Sequence, residues 1–271
     1  THTVAFLRAG LRSLVPEALS LISGPGCPVC VTSAEDIAAA CSLADEPGVI
    51  VTTFGDMMRV PADGRSLEAS RAGGAEVRVV LSPLDSLQIA RESPDAKVVF
   101  LAIGFETTAP LVAATVKEAA AGRVENWWLF VAHKLIPPAM EALLSAGGVA
   151  IDGYICPGHV SAIIGARAYG ALAEKFKVPC VVTGFEPTDL MEGMCIAAEM
   201  VAKGEWGARN QYRRVVRWAG NERAKAVMDE VFETGDARWR GLGVIPGSGL
   251  ALRGPFEGFD ARRAFGLGES Q

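Results

Sequence analysis

Cysteine, histidine and tyrosine are scarce in this 271-residue chain, at six, three and three copies. Six cysteines spread over that length are too thin for a disulfide scaffold, so the core must come from apolar packing. Long apolar runs are missing as well. Val98–Val99–Phe100–Leu101–Ala102–Ile103 is strand-sized and falls far short of the ~20 residues of a membrane helix. No secretory signal pattern is visible. An excess of positive charge is also absent: 26 Lys and Arg stand against 31 Asp and Glu, net −5, which argues against a nucleic-acid footprint. The balance is uneven, net −8 over residues 1–200 and +3 over the last 71, and the basic end reads as a solvated face. There is no G-x-x-x-x-G-K-[ST], no G-x-G-x-x-G after a strand and no G-x-S-x-G. Gly243–Gly249 is glycine-rich but fits none of them, so nucleotide binding and serine-hydrolase chemistry are unsupported.

What is present is ordinary globular composition, 50% hydrophobic and 21% charged, long enough for one large or two modest domains. Val4, Leu7, Leu11 and Leu14 predict an opening helix stopped by Pro16. Ser33, with Asp36 three residues on, predicts a capped helix whose inward stripe is Ile37, Cys41 and Ala44. Apolar strands are expected at Val49–Phe54, Val77–Leu81, Val98–Phe105, Trp127–Ala132, Gly153–Cys156 and Cys180–Phe185. Helices are expected between them, including Leu111–Ala121 and Ala162–Phe176. Gly207–Glu233 reads as mostly helix and Gly241–Gln271 as irregular. Gly104–Phe105–Glu106–Thr107–Thr108 recurs as Gly184–Phe185–Glu186–Pro187–Thr188, each after a strand and before a helix. The expectation is an α/β protein: two related Rossmann-like lobes with mostly parallel sheets around a central cleft, divided as 1–133 and 134–271.

Ligands of open parallel sheets sit beyond the carboxyl ends of the strands. The residues following the expected strands are Asp56; Glu106, Thr107 and Thr108; His133 and Lys134; Cys156, Gly158, His159 and Ser161; and Glu186 and Asp189. They are expected to form one convergent site. Thr108 and Thr188 also suit helix caps, Asp56 a turn, and the two glutamates the amides of the following helices. His159 lies in a Pro-Gly-His turn, where packing gives little reason for a histidine.

Cys27–Pro28–Val29–Cys30 is a C-x-x-C behind the tight Gly24–Pro25–Gly26 loop. Two intervening residues bring the sulfurs close enough to share a metal or close a disulfide. A closed zinc site needs four ligands, and neither a second C-x-x-C nor an H-x3–5-H exists. A proline between the thiols favours redox chemistry. Cys41, Cys180 and Cys195 read as structural, and Cys156 stays open because it ends a strand beside His159.

Gly24–Val31, Thr53–Pro61, Gly104–Pro110, Pro157–Ser161 and Gly184–Pro187 together resemble the HypD family of [NiFe]-hydrogenase maturation factors, in order and through essentially the whole chain. The resemblance implies a cytoplasmic scaffold that works with the small chaperone HypC. It carries an iron on which the Fe(CN)2CO group is assembled, with cyanide delivered by HypE and the group passed on to the hydrogenase large subunit. It places the redox-active thiols at Cys27 and Cys30, which are also possible iron ligands. His159, Glu106 and Glu186 are assigned ligand orientation or proton transfer, and His2, Asp56, Thr107, His133 and Gly158 the surrounding site. Thr1–His2–Thr3 matches the tail of the family motif whose cysteine ligates iron, so that cysteine is expected just before Thr1. The family's C-terminal [4Fe-4S] ligands have no counterpart after Cys195, so a core trimmed at both ends is expected. The competing reading is a plain thiol–disulfide oxidoreductase acting on protein substrates.

Overall fold

A computed structural model describes residues 2–148 and 150–268. Its strands are β1 Val49–Thr53, β2 Glu76–Val79, β3 Lys97–Ala102, β4 Trp127–Val131, β5 Tyr154–Pro157, β6 Pro179–Thr183, β7 Gly207–Asn210, β8 Phe232–Trp239 and β9 Gly243–Leu252. The first four form a parallel sheet in the order β2-β1-β3-β4, and β5-β6-β7 form a second parallel sheet. β8 and β9 form an antiparallel hairpin, irregular between Gly235 and Ala237. The architecture is α/β with mostly parallel sheets, as expected. No helix among the described residues is long and apolar enough to cross a membrane.

The chain divides into two compact units that alternate along the sequence. One comprises the described residues up to Cys27 together with Ile136–Lys225, and holds β5–β7. The other comprises Pro28–Leu135 and the described residues from Ala226, and holds β1–β4 and the hairpin. The chain therefore changes unit at Cys27–Pro28, Leu135–Ile136 and Lys225–Ala226.

Central strands of covered parallel sheets read as continuous apolar or β-branched runs. Every residue of β1 (Val-Ile-Val-Thr-Thr) and of β6 (Pro-Cys-Val-Val-Thr) is buried. The edge strand β2 buries only Val77. On one face of β3, the helix Ala109–Ala121 buries Val112, Ala113 and Val116 among Phe100, Trp127 and Leu129. Each large side chain there contributes about 1.5–3 kcal/mol. On the other face, Ile37, Cys41 and Ala44 of the helix Ala34–Ala44 pack with Val51, Val99 and Leu101. Ser33 caps that helix, its hydroxyl accepting from the Asp36 amide at 3.0 Å.

The order β2-β1-β3-β4 reverses direction between β1 and β3, which makes their carboxyl ends a topological switch point. Phe54–Asp56 and Gly104–Thr108 stand there.

Four expected elements differ. The opening helix is His2–Arg8 only, because Gly10 turns left-handed (φ 67°) and a 3₁₀ turn at Leu11–Leu14 follows. The helix expected over Ala162–Phe176 is three pieces, Gly158–Ile164, Ala166–Tyr169 and Gly170–Phe176, broken at Gly165 (φ 85°). Gly207–Asn210 is a strand: it carries one apolar side chain, and its β character comes from pairing with β6. Gly243–Leu252 is a ten-residue strand whose glycines and proline hide it, held by β8 rather than by its own propensity.

Candidate functional site

Cys27 and Cys30 are disulfide-bonded, while Cys41, Cys156, Cys180 and Cys195 are free. Cys27 is half-buried and Cys30 exposed. Cys30 lies in the short helix Pro28–Val31. Thr32 Oγ1 donates to the Pro28 carbonyl at 2.8 Å, and the Arg240 amide donates to the Val31 carbonyl at 2.9 Å. The turn carrying the exposed Cys30 is thus fixed at its back.

The expected strand-end residues fall into two sets, one on each parallel sheet. On the β1–β4 sheet, Asp56 is exposed in the 3₁₀ turn Gly55–Met57, and Thr107 is exposed. Glu106 is buried, 3% exposed. Thr108 and His133 meet. The Thr108 hydroxyl donates to the Phe105 carbonyl at 3.3 Å and lies 3.2 Å from His133 Nε2. Thr108 Oγ1 and His133 Nε2 thus share a hydrogen bond whose donor depends on the ring tautomer. Nδ1 is buried and has no hydrogen-bond partner. Burial, with Lys134 beside it, holds the His133 pKa down to about 3, so the ring is neutral at pH 7. A Cβ at Gly104 would lie 1.9 Å from Thr108 Oγ1, so this pairing requires the glycine.

Lys134, next along, does not join that set. Its Nζ lies 3.5 Å from Asp36 Oδ2, and Asp36 also pairs with Arg262. Lys134 and Asp36 are 2% and 3% exposed. Burial lowers the Lys134 pKa against the opposing pull of Asp36. This buried network ties the helix Ala34–Ala44 to the end of β4 and to the helix Ala261–Ala264.

On the β5–β7 sheet, the strand ends bring His2, His159 and Phe185 together. The Phe185 ring lies 4.0 Å from His159, stacked, and 4.5 Å from His2. His2 Nε2 is 3.1 Å from Thr183 Oγ1, and burial pushes its pKa down to about 4. His159 is exposed, and the burial it has on the Phe185 side lowers its pKa. No hydrogen bond among the described residues occupies its ring nitrogens. A neutral, open imidazole can accept a proton or ligate a metal. Gly158 is dictated by packing: a Cβ would stand 2.4 Å from the Thr183 carbonyl oxygen and 2.9 Å from Tyr212 Cδ1. Ser161 is buried and donates to the Pro157 carbonyl at 2.8 Å. Cys156 is buried against Cys180, and burial first, then that neighbour, raises its thiol pKa well above normal, so it is unreactive.

The two Gly-Phe-Glu segments fill the same topological position with opposite chemistry. Glu106 is buried, whereas Glu186 is exposed and lies 3.5 Å from Arg214. Asp189 is the buried acid of the second segment. Arg214 grips both its oxygens at 2.7 and 2.6 Å, and Gln211 donates at 3.0 Å. The Arg214 hydrogen bonds lead in holding the Asp189 pKa down to about 2. Gln211, Tyr212 and Arg214 follow β7, and they went unpredicted because β7 itself did. Among the described residues no group of three or more His, Cys, Asp or Glu side chains is arranged to hold a metal ion.

The family model "HypD: Hydrogenase formation hypA family" matches residues 1–271. "Hydrogenase maturation factor HypD" of Azotobacter vinelandii is 44% identical over 273 residues, covering 98% of this chain and 72% of that protein. The protein of the same name from Escherichia coli (strain K12) is 44% identical over 265 residues, 97% of this chain and 71% of its own. That of Rhodobacter capsulatus is 41% identical over 268 residues, 98% and 71%.

Proposed function

The chain belongs to the HypD family, and on that premise we propose that it is a hydrogenase maturation scaffold whose working group is the Cys27–Cys30 pair. With a HypC-type chaperone it holds the iron on which Fe(CN)2CO is built. The iron is cargo: cyanide comes from a HypE-type donor, and the finished group leaves for the hydrogenase large subunit. One observation carries the thiol role. Of six cysteines, only Cys27 and Cys30 are paired, and Cys30 is exposed. Reduction of that disulfide takes up two electrons and two protons and frees two thiols, which as thiolates suit a low-spin iron(II) centre; re-forming it returns the electrons.

The remaining roles follow from each side chain's surroundings. His159 presents an open, neutral imidazole for ligand orientation or proton transfer. His2 and Gly158 shape the surface beside it. Glu106, Thr107, Asp56 and His133 serve the carboxyl end of the first sheet. Glu186 acts through Arg214 to set its loop.

The test is co-expression of the protein carrying the cysteine expected before Thr1 with a HypC-type chaperone and a HypE-type donor. The expected complex contains iron and shows infrared bands of bound cyanide and carbon monoxide. Cys27→Ser and Cys30→Ser each abolish the bands, and His159→Ala weakens them. A Cys27→Ser/Cys30→Ser protein that still loads Fe(CN)2CO overturns the proposal. A wild type that reduces disulfide substrates yet carries neither iron nor bands establishes the plain oxidoreductase instead.

A further inference from the structure

We infer that the loop after β7, residues 211–220, is a docking surface for an acidic protein segment bearing apolar side chains. Its outer face is basic and partly apolar. Arg213 and Arg217 are exposed, with Val215 and Trp218 at 49% and 52% exposure. Arg167 joins them, its amide donating to the Trp218 carbonyl at 3.0 Å. None of the three arginines meets a carboxylate among the described residues. Most other cations do: Arg209 is 3.9 Å from Glu205, and Arg214 is committed to Asp189. A chain of net −5 that keeps three unneutralised arginines beside an exposed tryptophan fits a negatively charged partner. Arg and Trp are the residue types that dominate interface hot spots.

The loop is preorganised. Gly165 (φ +85°) and Gly220 (φ +77°) are so close that a Cβ on Gly165 would lie 2.4 Å from the Gly220 nitrogen and 2.5 Å from the Trp218 carbonyl oxygen. Asn210 Nδ2 donates to the Val216 carbonyl at 2.7 Å, and the Asn221 amide donates to the Ile163 carbonyl at 2.9 Å. Val216 is buried beneath. A Trp held on a clamped loop loses little conformational entropy on binding. The loop's inner face is equally engaged: Tyr212 borders Gly158 and Gly184, and the Gly184 amide donates to Gln211 Oε1 at 3.3 Å. A partner on the outer face therefore sits on the same loop that braces the His159 turn.

The test uses the whole chain and a fluorescent peptide of Glu, Asp, Leu and Phe, with three controls: the same apolar residues with Lys and Arg, a Glu/Asp peptide lacking Leu and Phe, and single-stranded RNA. We expect the acidic apolar peptide alone to bind, with affinity falling as salt rises. Trp218→Ala weakens binding about tenfold or more. Arg213→Glu/Arg217→Glu weakens it about tenfold and flattens the salt dependence, while Arg213→Lys/Arg217→Lys retains it. Near-UV circular dichroism identifies any variant that fails to fold, and the Lys pair keeps the test decisive if the Glu pair does. Absence of binding overturns the inference. So does equal binding of the Glu/Asp peptide with Trp218→Ala silent, or preferential binding of RNA. The readout involves neither iron nor the thiols, so it fails or succeeds independently of the scaffold proposal.

Discussion

His133 gives the protein a calculable acid sensitivity. Its native pKa is about 3, because a charged imidazole would be stranded in a fully buried site. In the unfolded chain the same ring titrates near 6.5. As pH falls below 6.5 the unfolded state takes up a proton that the native state refuses, so folding stability drops. Between pH 7 and pH 5 the loss is about 2 kcal/mol, and any native value well below 5 gives nearly the same figure there. Below pH 3 the loss levels off near 5 kcal/mol. His133→Gln removes the titration while leaving an amide to donate toward Thr108. Urea unfolding followed by tryptophan fluorescence and far-UV circular dichroism, at pH 7 and pH 5 with the disulfide intact, measures the effect. The acids and the other two histidines titrate in both proteins and cancel. At pH 7 wild type is the more stable; at pH 5 its advantage over His133→Gln shrinks by about 2 kcal/mol or reverses. An advantage equal at the two pH values refutes the reasoning, since His133 would then titrate alike folded and unfolded.

Asp36→Ala strands the Lys134 ammonium in the core, and urea unfolding should show a loss of about 3–5 kcal/mol. Lys134→Met leaves Asp36 its Arg262 partner and should cost less than half as much; the reverse order would contradict the network. Gly158→Ala stands at the first position of its helix, where helix propensity offsets little, and pushes a methyl into the Thr183 carbonyl. Thermal melts should show a net loss of about 1–3 kcal/mol, and an unchanged or raised Tm would contradict the close approach.

Strands β1–β6 were legible because each carries an apolar run, which burial on both faces demands of the central ones such as β1 and β6, and the six expected runs overlap them. β7, β8 and β9 were not, for one shared reason. Gly-Ala-Arg-Asn and Gly-Val-Ile-Pro-Gly-Ser-Gly carry little β character of their own, and pairing with β6 or β8 supplies it. The break at Gly165 was hidden for the same kind of reason. Its φ of 85° answers to the backbone of Gly220, fifty-five positions away in sequence and invisible to any local pattern.

Strand ends supplied the right addresses for side chains but not their states. Pro-Gly-His and Ala-His-Lys both follow strands, yet His159 is exposed with open nitrogens while His133 is sealed against Thr108. Glu106 and Glu186 sit at matching positions, yet one is buried and the other extends toward Arg214. What separates each pair is a long-range neighbour: Phe232 beside His133 and Phe185 beside His159, the buried strand ends around Glu106 and the β7 loop around Glu186. Chemistry-bearing residue types can thus be read from a repeat such as Gly-Phe-Glu, whereas protonation state and reach depend on what the rest of the fold brings up against them. The C-x-x-C escapes this limit because its partner lies within the motif. Two residues of spacing already bring the two sulfurs together, to share a metal or close a disulfide, and the structure bonds them to each other.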